Sequence, residues 1–247
     1  MAPAGKGAFR KPCTTGEPTM SLKPELNADC NAFVLVHTQD MDWEPTGHPG
    51  VSQKLLERVN DPEKGRETAL LRFEPGAALP AEESDERIEF FVLEGTLDDE
   101  HGSYGLHTFI QNPPGFRHTP SSRSGCVVYF KRRRPFRAEP ETERMVVDTE
   151  AAEWQAFPHR SAKVLHLYKD PNGIDTRRFG EVFANAKIPN HDHPTGEEVF
   201  IVKGCLIDDA GAHRTGTWMR VPTTFTHAPY TADESCRMFI REGDNYW

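Results

Sequence analysis

Four residues in the last third of the chain, His191, His193, Glu197 and His227, have the types and the spacing to hold one divalent metal ion. His191 and His193 stand two apart, so in an extended strand both imidazoles project to one side. Pro194-Thr195-Gly196 is a turn signal, and Glu197 directly after it returns a carboxylate on the next strand. His227 follows a second punctuated stretch, Pro222-Thr223-Thr224-Phe225-Thr226, and brings a third imidazole from further along the chain. Imidazole nitrogens and a carboxylate suit iron, zinc, manganese, nickel or cobalt. An ion that takes five or six ligands keeps positions open for water, a small-molecule substrate or O2. Glu198 alternates to the opposite face and reads as an ion-pair partner of the site rather than a ligand.

The elements that must position these groups are short strands, and they occur twice. Phe91-Val92-Leu93-Glu94-Gly95-Thr96-Leu97-Asp98-Asp99 reads against Phe200-Ile201-Val202-Lys203-Gly204-Cys205-Leu206-Ile207-Asp208. The same offset aligns Pro80 with Pro189, Pro113 with Pro222, Phe116 with Phe225 and His118 with His227. Trp43 and Trp154, and Cys126 and Cys236, continue the match outwards. Runs such as Phe90–Leu93, Cys126–Phe130 and Glu198–Val202 alternate with Gly, Pro, Asn and Asp, which predicts an all-β protein. Val51–Val59 fits a strand or a helix, and Glu150–Ala156 a helical turn. The predicted organisation is a flexible tail (1–28), a first repeat (29–136), a linker (137–145) and a second repeat (146–247). At the ligand positions the first repeat has Glu82, Ser84 and Ile88, with only His118 retained. It reads as a barrel kept for packing, although Glu82, Glu89 and His118 together offer a carboxylate-rich alternative.

The motif HxHxxxE with a glycine six residues on is met in full by His191, His193, Glu197 and Gly204. A second, GxxxxxPxGxxH, is met by Gly216, Pro222 and His227, with Thr224 replacing its glycine. In these motifs the sequence resembles the cupin superfamily, and its ChrR-like branch in particular. The resemblance implies two tandem jelly-roll (double-stranded β-helix) barrels, the second holding one divalent ion, Fe2+ first and Zn2+, Mn2+ or Ni2+ as alternatives. It implies an iron dioxygenase cleaving a C–C bond in a diketone or hydroxyketone-like compound. The alternatives are a zinc-binding regulator or sensor and a metal-dependent lyase, isomerase or decarboxylase. It also implies pairing through the sheets, either in a homodimer or within the fused chain. In such a barrel, alternation offers Phe183, Trp218, Phe225 and Met238 as apolar pocket walls, and Arg220 or Arg237 to bind a substrate oxygen. No residue is assigned a catalytic role.

A net charge of -9 argues against nucleic acid as a partner, which demands a concentrated basic face. The one basic run, Lys131-Arg132-Arg133-Arg134, reads as a solvated strand end. No window has the length and apolarity of a membrane helix. The scattered, odd set Cys13, Cys30, Cys126, Cys205 and Cys236 suggests free thiols, and no apolar leader is evident, so a cytoplasmic location is expected.

Overall fold

Alternation along the long strands sets the layers. The computed structural model describes residues 24–134, 143–169, 175–223 and 225–243. Most of the expected tail and linker lies outside them. Cys13 does too, and the four other cysteines are free thiols. In Arg87–Gly95, Phe90 and Val92 point into one core while Glu89 and Phe91 point into another. Glu197–Lys203 repeats the pattern, with Val199 and Ile201 on one side and Glu198 and Phe200 on the other. Strands covered on both faces need a packing partner on each.

The principal strands are β1 (Val34–His37), β2 (Val51–Val59), β3 (Arg66–Phe73), β4 (Arg87–Gly95), β5 (Thr108–Asn112), β6 (Cys126–Arg133) and β7 (Met145–Asp148). They continue as β8 (Ala162–Lys169), β9 (Thr176–Val182), β10 (Glu197–Lys203), β11 (Thr217–Val221) and β12 (Cys236–Glu242). Two 7-stranded sheets run in matching order, β7-β5-β4-β6-β3-β2 and β1-β11-β10-β12-β9-β8, each closed by a short edge strand. Neighbouring strands pair antiparallel, and smaller sheets cap each large one into a barrel. Val51–Val59 is therefore a strand, and the only helical turns among the described residues are short 3-10 segments at Thr38–Asp40 and Pro158–Arg160.

The end strands are exchanged. β1, from the first repeat, pairs with β11 of the second sheet, and β7, from the second repeat, pairs with β5 of the first. Each repeat thus completes the other, and β7 opens at Met145, inside the stretch expected to be linker.

Between the large sheets lies a third core. Leu56, Leu70, Phe91, Phe109 and Tyr129 of the first meet Leu165, Phe179, Phe200, Trp218 and Phe239 of the second. Charges are buried within it in two related sets. Glu198 accepts hydrogen bonds from Lys131, Tyr129 and Trp218, while Glu89 accepts them from Arg241 and Arg177. Glu57 pairs with Arg66 and Arg220. Low-dielectric burial makes such pairs costly to break, about 3–5 kcal/mol when one partner is removed. The basic run expected to be solvated is instead divided by strand alternation. Lys131 and Arg133 reach the second barrel at Glu198 and Asp175, and Arg132 and Arg134 turn to Glu82 and Asp85 of the first.

Candidate metal centre

The short strand His191–Asp192 pairs with Thr226–His227, setting His191 opposite His227. His193 follows on the same face and is buried, whereas Asp192 between them is exposed. The chain then turns at Gly196, whose N–H donates to the His193 carbonyl at 2.9 Å and whose φ of 69° favours glycine. Glu197 opens β10 directly after the turn, facing Glu242 at the end of β12.

Donor atoms of His191, His193 and His227 all lie within 4.8 Å of one another, as do those of His193, Glu197 and Glu242. His193 joins the two groups: its Nε2 is 3.1 Å from Nε2 of His227 and its Nδ1 3.6 Å from Glu197. The structure therefore places the four sequence-selected residues in two adjoining groups that share His193, and adds to the second Glu242, which sequence reading missed. Its signal was readable, since Met238, Ile240 and Glu242 alternate along one face of β12.

The surroundings prepare these groups for a cation. His191 Nδ1 lies 3.0 Å from the Pro189 carbonyl, which can only accept, so that nitrogen carries the proton and Nε2 offers a lone pair. His227 Nδ1 meets Asp208 at 2.8 Å with the same effect, and His213 holds the other Asp208 oxygen at 2.8 Å. Burial lowers the pKa of His191 and brings that of His193 down to about 4, keeping both imidazoles neutral and ready to donate electron pairs. Burial also pushes Glu197 up to about 7, opposed by Arg178, so its carboxyl favours a nearby positive charge. Arg178 reaches Glu242 at 2.7 Å and Glu197 at 3.5 Å. Three imidazoles, each with a ring nitrogen free to donate an electron pair, and a buried carboxyl fit a divalent ion.

The site opens on a cavity of about 490 Å³ lined by His191, Glu197, His227 and Glu242 at one end and by Val164, Val182, Val199, Met219, Met238 and Ile240 along its walls. Of the pocket residues selected from sequence, Met238 lines it. The others do not. Phe183 is 41% exposed, and Trp218 is buried between the sheets. Arg220 faces Glu57 there, and Arg237 pairs with Glu181 and Glu150. Arg237 is adjacent to Met238 and Arg220 to Met219, so strand alternation turns them away. Phe225 stacks on Phe33 at 5.1 Å and meets the His227 ring edge-on at 5.3 Å.

The sequence pattern of the ChrR Cupin-like domain matches residues 31–136 and again 142–245. The chain belongs to this cupin family. No curated protein matches it. Solved structures share the fold of these cupins at low identity. A candidate dioxygenase from Nostoc punctiforme superposes with a TM-score of 0.70 at 15% identity, covering 85% of this chain and 82% of the other. Oxalate decarboxylase from Bacillus subtilis, studied for its Mn(II) centres, gives 0.60 at 14% identity, covering 86% and 78%. The Lactobacillus farciminis oxalate decarboxylase formate complex gives 0.60 at 11%, covering 85% and 86%. No helix among the described residues of this cupin is long and apolar enough to cross a membrane.

Proposed function

We propose that this cupin is a metal-dependent enzyme, an iron(II) dioxygenase cleaving a C–C bond in a small oxygenated substrate of the diketone or hydroxyketone kind. The observation that carries the reading is the convergence of three imidazoles and Glu197 at the end of an apolar cavity rather than in a closed shell. A purely structural zinc site keeps no such opening. His191, His193, Glu197 and His227 would hold the ion, which would supply a Lewis acid and, as iron, an electron source for O2. Asp208 fixes the His227 ring, Arg178 holds Glu242 beside the site, and the apolar walls exclude water from the bound substrate. The N. punctiforme candidate dioxygenase shares this fold, which supports the class of reaction without naming the substrate. We place the activity in the cytoplasm, on a small molecule, without nucleic acid or membrane.

The oxalate decarboxylases share the same fold, so turnover without O2 consumption is the competing reading. The test is elemental analysis of untagged protein purified anaerobically, followed by oxygen-uptake screening. One iron per chain, lost in His193→Ala, with substrate-dependent O2 uptake, is the expected result. One iron with turnover and no O2 uptake supports the lyase reading, and no bound metal overturns both.

A further inference from the structure

The row of residues that carries the carboxylates of the candidate centre has a second row behind it. Thr176, Glu242 and Glu197 are successive register partners across the second sheet, and all three line the cavity. One residue along each strand stand Arg177, Arg241 and Glu198, with Arg220 as the next partner, and alternation turns them to the opposite face. None of these four is more than 2% exposed.

All four are bound to the first barrel. Arg177 and Arg241 donate to Glu89, and Arg177 also donates to Gln111. Glu198 accepts from Tyr129 and Lys131, and Arg220 donates to Glu57. Apart from Tyr129, these partners form a row of their own across the first sheet, Glu57–Thr68–Lys131–Glu89–Gln111, each in register with the next. The two sheets thus meet charge against charge at the level of the candidate metal ligands.

Two residues further along the same faces the contact changes character. Phe179, Phe239, Phe200 and Trp218 form the next row of the second sheet, packed with Leu70, Tyr129, Phe91 and Phe109 of the first. Such apolar packing would hold the barrels together at the charged level equally well, because buried ion pairs seldom stabilise more than apolar groups of similar volume. What charge-assisted hydrogen bonds add is direction, since each fixes the separation and angle of its two groups. A strand cannot move Glu198 without moving Glu197, or Arg241 without moving Glu242.

Resting on the metal-site reading above, we infer that the first barrel sets the geometry of the metal centre in the second. Tyr129 and Lys131 are positioning residues for Glu197, acting through Glu198. Glu89 is a positioning residue for Glu242, acting through Arg241. The barrel that lacks the ligand set thereby becomes part of the site.

Two buried tyrosines provide the test. Each donates its hydroxyl to a carboxylate, Tyr129 to Glu198 and Tyr104 to Asp99, but only the first acceptor adjoins Glu197. Full-length Tyr129→Phe and Tyr104→Phe are loaded with manganese; affinity is read by chelator competition and the ion's surroundings by the fine structure of its EPR spectrum. Tyr129→Phe is expected to bind manganese about fivefold more weakly, the worth of one hydrogen bond, and to alter the fine structure. Tyr104→Phe loses a comparable bond and is expected to match the unaltered protein in both. Lys131→Met with Glu198→Gln removes the charged pair, keeps an acceptor for Tyr129 and Trp218, and is expected to reproduce the change seen in Tyr129→Phe. If the unaltered chain takes up no manganese, iron or other divalent ion, the metal reading fails and this inference fails with it. If it loads manganese and the variants share its affinity and spectrum, this inference alone fails. An equal change in Tyr104→Phe overturns it as well, because any lost bond would then do.

Discussion

The two barrels share one ladder and differ in what fills it. Register pairs Leu71 with Gly180, Phe90 with Val199 and Phe130 with Ile240. Two phenylalanines and a leucine pack the first core, and smaller groups leave the second hollow. The polar positions diverge in the same systematic way. Glu82 stands where the second barrel has His191, Ile88 where it has Glu197, and Arg132 where it has Glu242. Arg132 lies 3.0 Å from Glu82 and 3.7 Å from Glu86, so the first barrel supplies its own cation from the chain. Asp99, the counterpart of Asp208, is likewise turned to Arg144 at 2.5 Å and Tyr104 at 2.8 Å instead of to a histidine. His118 remains, but its buried Nε2 meets no partner among the described residues. In the first barrel a guanidinium stands among the acids where the second barrel gathers its candidate ligands.

Five substitutions sharpen or break this comparison. The largest effect is expected from Gly180→Leu, which copies the first barrel into the second. A Cβ at Gly180 already falls 3.2 Å from Ile240, so a leucine fills the cavity. Substrate binding should drop by about a hundredfold while metal content stays, because no ligand is touched. Loss of metal instead would mean that cavity and site are not separable.

Next is Glu89, whose pKa the surrounding arginines hold at about 2 despite burial. A lowered folded-state pKa stabilises above the unfolded value, and that stability is lost as pH falls toward about 2. The loss is on the order of 3 kcal/mol. Chemical denaturation in steps between pH 5 and pH 2.5 should show it, and Glu89→Gln should be less stable at neutral pH with a flatter acid profile. An unchanged profile would show that the inter-barrel charges do not govern acid stability.

Asp208→Asn should weaken metal affinity about tenfold in a chelator competition, since outer-shell partners of ligating histidines typically count for that much. The matched Asp99→Asn in the first barrel should leave it unchanged, and equal effects would contradict the division of roles. The smallest change is expected from Arg132→Met, about 1 kcal/mol in denaturant unfolding, because the pair it breaks is a third exposed. Two metal ions per chain in that variant against one in the unaltered protein would show that the guanidinium competes with an ion in the first barrel.

Much of the candidate site was legible because the residues that form it are close in sequence. His191, His193 and Glu197 fall within one turn-linked pair of strands, and His227 lies in a recognisable second motif. The repeat likewise announced two barrels. What stayed hidden depends on which face of a strand meets which partner. Lys131 and Arg133 read as solvated because a cluster of charges normally is, and only the second sheet, remote in sequence, supplies Glu198 and Asp175. Alternation offered Arg220 and Arg237 as well as Met238, but only the paired sheet shows that the face of Met219 and Met238 is the one turned to the cavity, leaving both arginines outside it. The exchanged strands were invisible for a related reason: a repeat in sequence suggests a self-contained unit in space.

That exchange fixes how this chain can be divided. Cut between its repeats, it yields no whole barrel, because each half carries away the edge strand of the other. Two identical cupins crossing their first strands would make the same pattern, so the fold is that of a swapped pair joined into one polypeptide. Such a union also explains why a barrel without the ligand set persists. To delete it would strip β1 from the sheet that carries Glu197 and Glu242, and the inheritance of one repeat is bound to the integrity of the other.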